Sequence, residues 1–356
     1  MFGFTLGLII DFKLFSLLMK TKLLPGKLPA ALLTQLIAKL PTKDKNLLIP
    51  PGVGLDAAGL KIGNELVAVT TDPITFATDQ IAFYSVAVNV NDIACLGCRP
   101  RWYSATLLLP VNIKTSMVKQ IWEELAYELR RYGITSIGGH VEVTPTVNTP
   151  ILIGQIIGEV ATKNKKLLDA RNSLPGDKIL LCNGVAIEGT ALLAKERARD
   201  LVPLLSTVTL KKMRNLLVNP GICIWPSVKK ILNISGVVAL HDPTEGGIAT
   251  ALHELADAAD LGLDVDGAVI PILKETQQLA AIFNFDPLGL LASGSFLIAC
   301  KPNAVEKIIS ALGVNKVTEI GEFSQSKAKI IRYGTKKHLL PRYIQDEIVK
   351  ALKCQI

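Results

Sequence analysis

Aromatic residues are scarce in this chain: Phe, Trp and Tyr together make up 5% of 356 residues. So thin a supply offers no platform on which successive bases could stack, and nucleic acid is not an expected partner. Charge of one sign is not concentrated either. The net charge is +8, yet Lys and Arg are scattered, with small clusters at Lys163-Lys165-Lys166, Lys211-Lys212 and Lys336-Lys337. This excess reads as a solvated basic surface and is compatible with anionic substrates such as nucleotides. The chain has no P-loop, no G-x-G-x-x-G fingerprint and no short-period repeat. Its six cysteines lack a four-cysteine zinc spacing. Cys95 and Cys98 form a lone C-x-x-C; Cys182, Cys223, Cys300 and Cys354 are isolated, a usage that suits a reducing cytoplasm. The C-x-x-C closes an apolar helix and reads as core packing, with redox or metal chemistry as the alternative.

Long uninterrupted apolar runs are missing too. Met1 to Leu18 is apolar but broken by Asp11 and Lys13. It is too short for a membrane span and has neither a positive leader nor a small-residue cleavage site. We read residues 1–24 as an added extension, with a membrane-surface anchor as the alternative. A cytoplasmic location is expected.

What remains is ordinary for a folded chain: 49% apolar and 20% charged residues, enough for two domains with separate cores. Strand-like and helix-like patterns alternate. Leu66–Thr71 reads as a strand ending at Asp72-Pro73, Ile81–Leu96 as a helix, and Trp102–Leu109 as a strand. A helix with Val118, Ile121, Trp122, Leu125, Leu129 and Tyr132 on one face closes at Gly133. Lys163 to Asp177 is polar and ends in Leu-Pro-Gly-Asp, a turn signal. The expected division is an N-terminal α/β domain over 25–165, a C-terminal one over 166–345, and a tail over 346–356.

Four segments carry candidate chemistry. Pro51-Gly52-Val53-Gly54-Leu55-Asp56 is a glycine turn ending in an acid. Thr70-Thr71-Asp72-Pro73 puts an acid at a strand end. Asn89-Val90-Asn91-Asp92 lies inside the apolar helix, where Ser85, Asn89 and Asp92 share a face at i, i+4, i+7 spacing. His241-Asp242-Pro243-Thr244-Glu245-Gly246-Gly247 opens an amphipathic helix. Its apolar stripe is Ile248, Ala251, Leu252, Leu255 and Ala259; His253, Glu254, Asp257 and Asp260 read as the wet side. A helix start offers free N–H groups and positive potential to a phosphate. An acid in an apolar helix is costly unless it is paired or bound to a metal. Each segment also has a plainer reading: a turn at Asp72-Pro73, a helix cap at Asp242, a buried polar network at Asn89 and Asp92.

Taken in order, these segments resemble the aminoimidazole-ribonucleotide (AIR) synthetase superfamily, with its PurM-like fold. The match runs from about Leu24 to about Arg342. It is carried by the Asp56 turn, Thr70-Thr71-Asp72, Asn91-Asp92 with Gly97 and Arg99-Pro100, Gly138-Gly139, and Asp242-Pro243-Thr244 with Gly246-Gly247. Gly139-His140-Val141-Glu142 and His241–Gly247 look most like the group of hydrogenase-maturation proteins and AIR-synthase-related proteins. The resemblance implies two mixed α/β (α+β) domains, with ATP bound by the N-terminal one. It implies a homodimer built through the N-terminal sheets. It implies Mg²⁺ held at Asp56, Asp72, Asp92 and Asp242, with Thr71, Asn89, Asn91, Gly138, Gly139, His140, Glu142 and Thr244 near the nucleotide. The implied reaction uses ATP to phosphorylate an acceptor oxygen, which makes that oxygen a good leaving group. Such chemistry needs charge and positioning more than a protein nucleophile, and no catalytic nucleophile or base is assigned.

Three positions depart from the pattern. Leu55 stands where many members carry a second acid. His140 stands where Asp usually follows Gly-Gly, and could contact phosphate or metal or simply pack. Maturation proteins of this group end in a reactive cysteine after Pro-Arg; this chain ends Ala351-Leu352-Lys353-Cys354-Gln355-Ile356. The acceptor therefore stays open. The expected function is a Mg²⁺/ATP-dependent enzyme, in hydrogenase maturation with a maturation-factor partner. The alternatives are a small-molecule kinase or synthetase of the thiamine-phosphate or purine branch, or a non-catalytic nucleotide-binding assembly protein.

Overall fold

The computed structural model describes residue 23, residues 25–75, residue 77 and residues 79–354. The extension expected over 1–24 lies outside the described residues except at Leu23. Two sheets organise the chain. The first holds β1 (Leu47–Ile49), β2 (Ala58–Ile62), β3 (Glu65–Ile74), β4 (Cys98–Pro110), β5 (Thr135–Thr144) and β6 (Ile151–Val160), in the order β1-β2-β3-β6-β4-β5. β4 and β5 run parallel and the other neighbours antiparallel. The second holds β7 (Lys178–Cys182), β8 (Val237–His241), β9 (Gly262–Asp266), β10 (Phe296–Cys300), β11 (Val317–Ser324), β12 (Lys329–Tyr333) and β13 (Lys336–Leu339), in the order β13-β12-β9-β11-β7-β10-β8. This is the expected mixed α/β architecture with two sheets. β3 runs on to Ile74, one residue past the expected end at Asp72-Pro73.

The helices are α1 (Ala30–Ile37), α2 (Ile81–Cys95), α3 (Thr115–Tyr132), α4 (Ile187–Glu196), α5 (Thr207–Asn215), α6 (Trp225–Ile231), α7 (Gly247–Ala258), α8 (Lys274–Phe283), α9 (Val305–Leu312) and α10 (Glu347–Lys353), besides short turns. α3 is amphipathic and ends at Gly133 in the left-handed conformation, whose N–H bonds back to Arg130 O. α2 is different: nearly every residue is buried. A helix that is buried all round must be covered on every side. One side of α2 meets the first sheet, where Gly154 faces Ser85, Asn89 and Tyr103. The other side packs with the second half, since Ala94 and Cys95 share a core cluster with Leu180, Cys182, Ile224 and Leu240. α2 thus joins the halves and carries its polar residues into the seam.

The segment expected as a tail forms α10. Ile348, Val349 and Ala351 are buried in the core of the second half. Arg197 holds the end of this helix, its guanidinium donating to the carbonyls of Ala351 and Cys354. Among the described residues, no helix is long and apolar enough to cross a membrane.

Candidate active site

The four acids arrive from four elements. Asp72 sits on β3, on the face that meets α2, opposite Gly154. Asp92 lies one turn before the end of α2, and Cys95 follows at i+3 on the same side. Asp56 comes from the loop before β2, and Asp242 directly follows β8. Thr70 ties the first three together. Its hydroxyl lies 2.8 Å from Asp92 Oδ2, 3.1 Å from the Asp56 carbonyl and 3.5 Å from Asp72 Oδ2. Donor atoms of Asp56, Cys95 and Asp242 lie within 4.8 Å of one another. The cluster therefore spans both halves of the chain. Gly54 permits this approach: at φ +77°, a Cβ there would stand 2.5 Å from the Glu254 carbonyl of α7.

His241 brings positive charge to the cluster. Its Nδ1 lies 2.8 and 3.0 Å from the two oxygens of Asp56, and its Nε2 lies 3.0 Å from Glu254 Oε2. Burial opposes charge on this imidazole, but Asp56 and Glu254 overcome that and raise its pKa to about 10. Burial acts upward on Glu254, yet Lys27 and His241 bring it down to about 2. Lys27 also closes the chain start over the motif, its backbone N–H donating to Glu245 Oε2 at 2.8 Å.

The acids nearest the seam lack this compensation. Burial, then the charges of Asp72 and Asp242, push Asp92 well above the ordinary carboxylate value. Burial and Asp56 push Asp242 up against the partial relief of His241 and Lys27. Asp242 is 3% exposed, and its Oδ2 is buried with no hydrogen-bond partner among the described residues. A buried acceptor left without a donor costs on the order of 1–3 kcal/mol. Oxygen donors in excess of positive charge, one of them unpartnered, fit a divalent cation. Asp56, Asp72, Asp92 and Asp242 could hold it.

The other expected nucleotide contacts separate into groups. Thr71 turns to the opposite face of the first sheet, where its hydroxyl donates to the Gly154 carbonyl. Asn89 stays on the α2 face with Ser85, its amide donating to the Ser85 carbonyl and its Oδ1 unpartnered. Asn91 is spent on structure: its Nδ2 donates to Ile222 O and its Oδ1 accepts from Ile224 N, both at 2.9 Å. Both ends of that amide pin α2 to the second half.

Gly138, Gly139, His140 and Glu142 lie on β5, the exposed edge strand. Asp72 aligns with Gly154, Gly154 with Ala105, and Ala105 with Gly139. Three strand spacings, about 14 Å, therefore separate Gly139 from Asp72. Within one chain these residues do not meet the acids. Gly139 has a packing reason of its own, since at φ +150° a Cβ would stand 2.0 Å from the Ala105 carbonyl. His140 and Glu142 form an exposed pair at 3.5 Å. Thr244 is half-buried in the loop before α7, its carbonyl accepting from Gly247 and Ala292. Leu55 packs beside the first core.

Several site residues escaped the periodicity argument. Glu254, read as wet, faces His241, and His253 is buried against the Leu340 and Pro341 carbonyls. The C-x-x-C splits: Cys95 points to Asp242 at 3.6 Å, while Cys98 turns back toward the Leu96 carbonyl. Asp346 is buried, and its carboxylate accepts from Gly246, Leu291 and Ile348, so it fixes the glycine turn before α7. The clue was Asp at a helix start, but its target lies 100 residues away.

Residues 54–160 match the AIR synthase related protein N-terminal domain, and residues 175–334 match its C-terminal domain. The chain belongs to the AIR synthase related family. A putative hydrogenase expression/formation protein of Methanocaldococcus jannaschii is 26% identical over 298 residues, covering 81% of this chain and 82% of the relative. The carbamoyl dehydratase HypE of Escherichia coli is 24% identical over 296 residues, covering 80% and 84%. The structure of the hydrogenase maturation protein HypE in complex with ATP superposes with a TM-score of 0.68 at 20% identity, covering 89% of this chain and 96% of that one. At that identity the superposition speaks for the fold.

Proposed function

We propose that the chain is a Mg²⁺/ATP-dependent enzyme of the HypE type, which activates an acceptor oxygen by phosphorylation in hydrogenase maturation. One observation carries the reading: four acids from both halves converge beside a helix start, two of them, Asp92 and Asp242, buried and short of positive charge. A bound magnesium ion would neutralise phosphate charge there. The chain's own part is to orient. Thr70 sets Asp92, His241 sets Asp56, and Asp346 sets the Gly246 N–H. These fixed groups supply the positioning and electrostatics on which phosphoryl transfer depends.

The acceptor comes from a separate molecule, with a maturation factor as the partner of choice. Cys354 packs against the second core at the end of α10, and Arg197 holds its carbonyl, so this thiol is a poor carrier. A second reading, phosphate transfer to a small metabolite, is favoured by the same docked chain end. A second copy of the chain completes the assembly through the first sheet. The face of that sheet away from α2 carries Trp102, Leu108, Ile151, Ile153 and Ile157, and the β5 edge exposes Ile137, Val141 and Val143. An apolar face ending in an unpaired edge calls for a partner.

Thermal denaturation with Mg²⁺ and ATP tests the reading. A clear rise in Tm that needs both components is expected, and Asp72→Asn should remove it. No shift at millimolar nucleotide would defeat the proposal. Product analysis then separates phosphate released from phosphate transferred.

A further inference from the structure

We propose that Lys27 is a phosphate ligand, whose ammonium turns from Glu254 to the phosphates of a nucleotide held at the acidic cluster. The inference rests on the ATP-dependent reading above and adds a residue to its site. Residues 25–28 lie across the loop that opens α7. The Pro25 carbonyl accepts from Gln345 Nε2 at 3.2 Å, and the Lys27 N–H donates to Glu245 Oε2 at 2.8 Å. A Cβ at Gly26, where φ is +121°, would stand 3.4 Å from that same oxygen. The carboxylate one residue before Gly246 thus fixes where the Lys27 side chain starts, and that side chain reaches Glu254 on α7.

Charge explains why the site needs it. Phosphates that approach four carboxyl groups meet repulsion unless cations stand close by. The cations that act on Asp242 and Glu254 are His241 and Lys27. His241 is already committed, with a side chain 4% exposed and ring nitrogens against Asp56 and Glu254. The Lys27 side chain is 49% exposed, and its Nζ stands 3.5 Å from Glu254 Oε1. A tight charge-assisted bond would measure about 2.7–2.9 Å. Among the described residues this is the only ion pair Lys27 makes.

An ammonium has three donors, so donors remain for an anion arriving from solvent. Besides Glu254, the charges of Glu245, Asp56 and Asp242 act on this ammonium, which puts it beside the cluster. Its flexible four-carbon stem lets it turn without moving the backbone. Glu254 keeps a partner when Lys27 turns away, because Oε1 faces Lys27 and Oε2 faces His241. The exchange swaps one ion pair for another, and no covalent bond forms or breaks.

Isothermal titration of the full chain tests this, first with Mg²⁺ alone and then, in saturating Mg²⁺, with the non-hydrolysable ATP analogue AMPPNP. Lys27→Met removes the charge and keeps much of the stem; the position is half-exposed, so the variant should fold. Its affinity for AMPPNP should fall about 10-fold or more, the scale of one lost hydrogen bond to a charged group. Its affinity for Mg²⁺ alone should hold or rise, because a positive charge beside the acids is gone. Lys27→Arg should keep most of the AMPPNP affinity. Equal AMPPNP binding by wild type and Lys27→Met overturns the inference and leaves the ATP reading standing. Loss of Mg²⁺ and AMPPNP affinity together also overturns it, since Lys27 would then only support the cluster. A wild type that binds no AMPPNP refutes the ATP reading and this inference with it.

Discussion

Asp346→Asn isolates the most specific structural claim about the glycine turn. The wild-type carboxylate accepts three backbone N–H bonds, with Oδ2 taking Gly246 at 2.6 Å and Oδ1 taking Ile348 at 2.7 Å and Leu291 at 3.2 Å. The amide has one oxygen. Its better orientation keeps Ile348 and Leu291 and turns an NH₂ group toward the Gly246 N–H. One charge-assisted bond is lost, about 1.5–3 kcal/mol, and a buried donor is left without an acceptor. Removing a buried charge returns part of that. A net destabilisation of about 2 kcal/mol should follow, or about 4–8 °C in Tm for a unit of this size. Circular dichroism melts measure the first effect. The Mg²⁺/ATP-induced rise in Tm measures the second, and it should shrink because the Gly246 N–H is no longer held in place. A variant that melts within about 1 °C of wild type with an unchanged nucleotide response would refute both the bond count and the link from chain end to site.

Asp92→Asn removes an ionisable carboxyl whose charged form burial, Asp72 and Asp242 disfavour, so the ligand-free protein should melt higher while the Mg²⁺/ATP response disappears; a lower ligand-free Tm would contradict the charge imbalance. Burial raises Glu188 to about 7 from an ordinary 4.5, against a hydrogen bond from Ser293. Because the folded value is the higher, its stabilisation is full below about 4.5 and is lost as pH rises through about 7. Wild type should therefore lose about 2–3 kcal/mol relative to Glu188→Gln between pH 5 and pH 8; parallel urea-unfolding profiles for the two proteins would rule this out. Val141→Arg on the β5 edge should convert a dimer to a monomer in light scattering coupled to gel filtration, with no loss of fold by circular dichroism. A dimer that tolerates this charge is not built through β5.

Much of the architecture was legible because it follows from local rules. The stripe of α3 and its Gly133 stop gave that helix directly. The ordered motifs led to the family and to four candidate acids, whose side chains lie close together along one seam. Periodicity failed where a helix has no wet side. Glu254 and His253 looked solvent-facing because a single helix cannot show that β8, the chain start and the Leu340–Pro341 segment cover its flank.

The sequence by itself determined the elements, the family and the candidate acids, since spacing and residue type are local properties. Tertiary structure decided which neighbours those acids have. It gave Asp56 a histidinium, left Asp242 with an unpartnered oxygen, brought Cys95 into the cluster and spent Asn91 on joining the halves. It also put Gly138–Glu142 on the far edge of the sheet and turned the expected tail into core. The physical reason is that charge, burial and hydrogen-bond satisfaction depend on groups brought together across the chain, and no spacing along it records them.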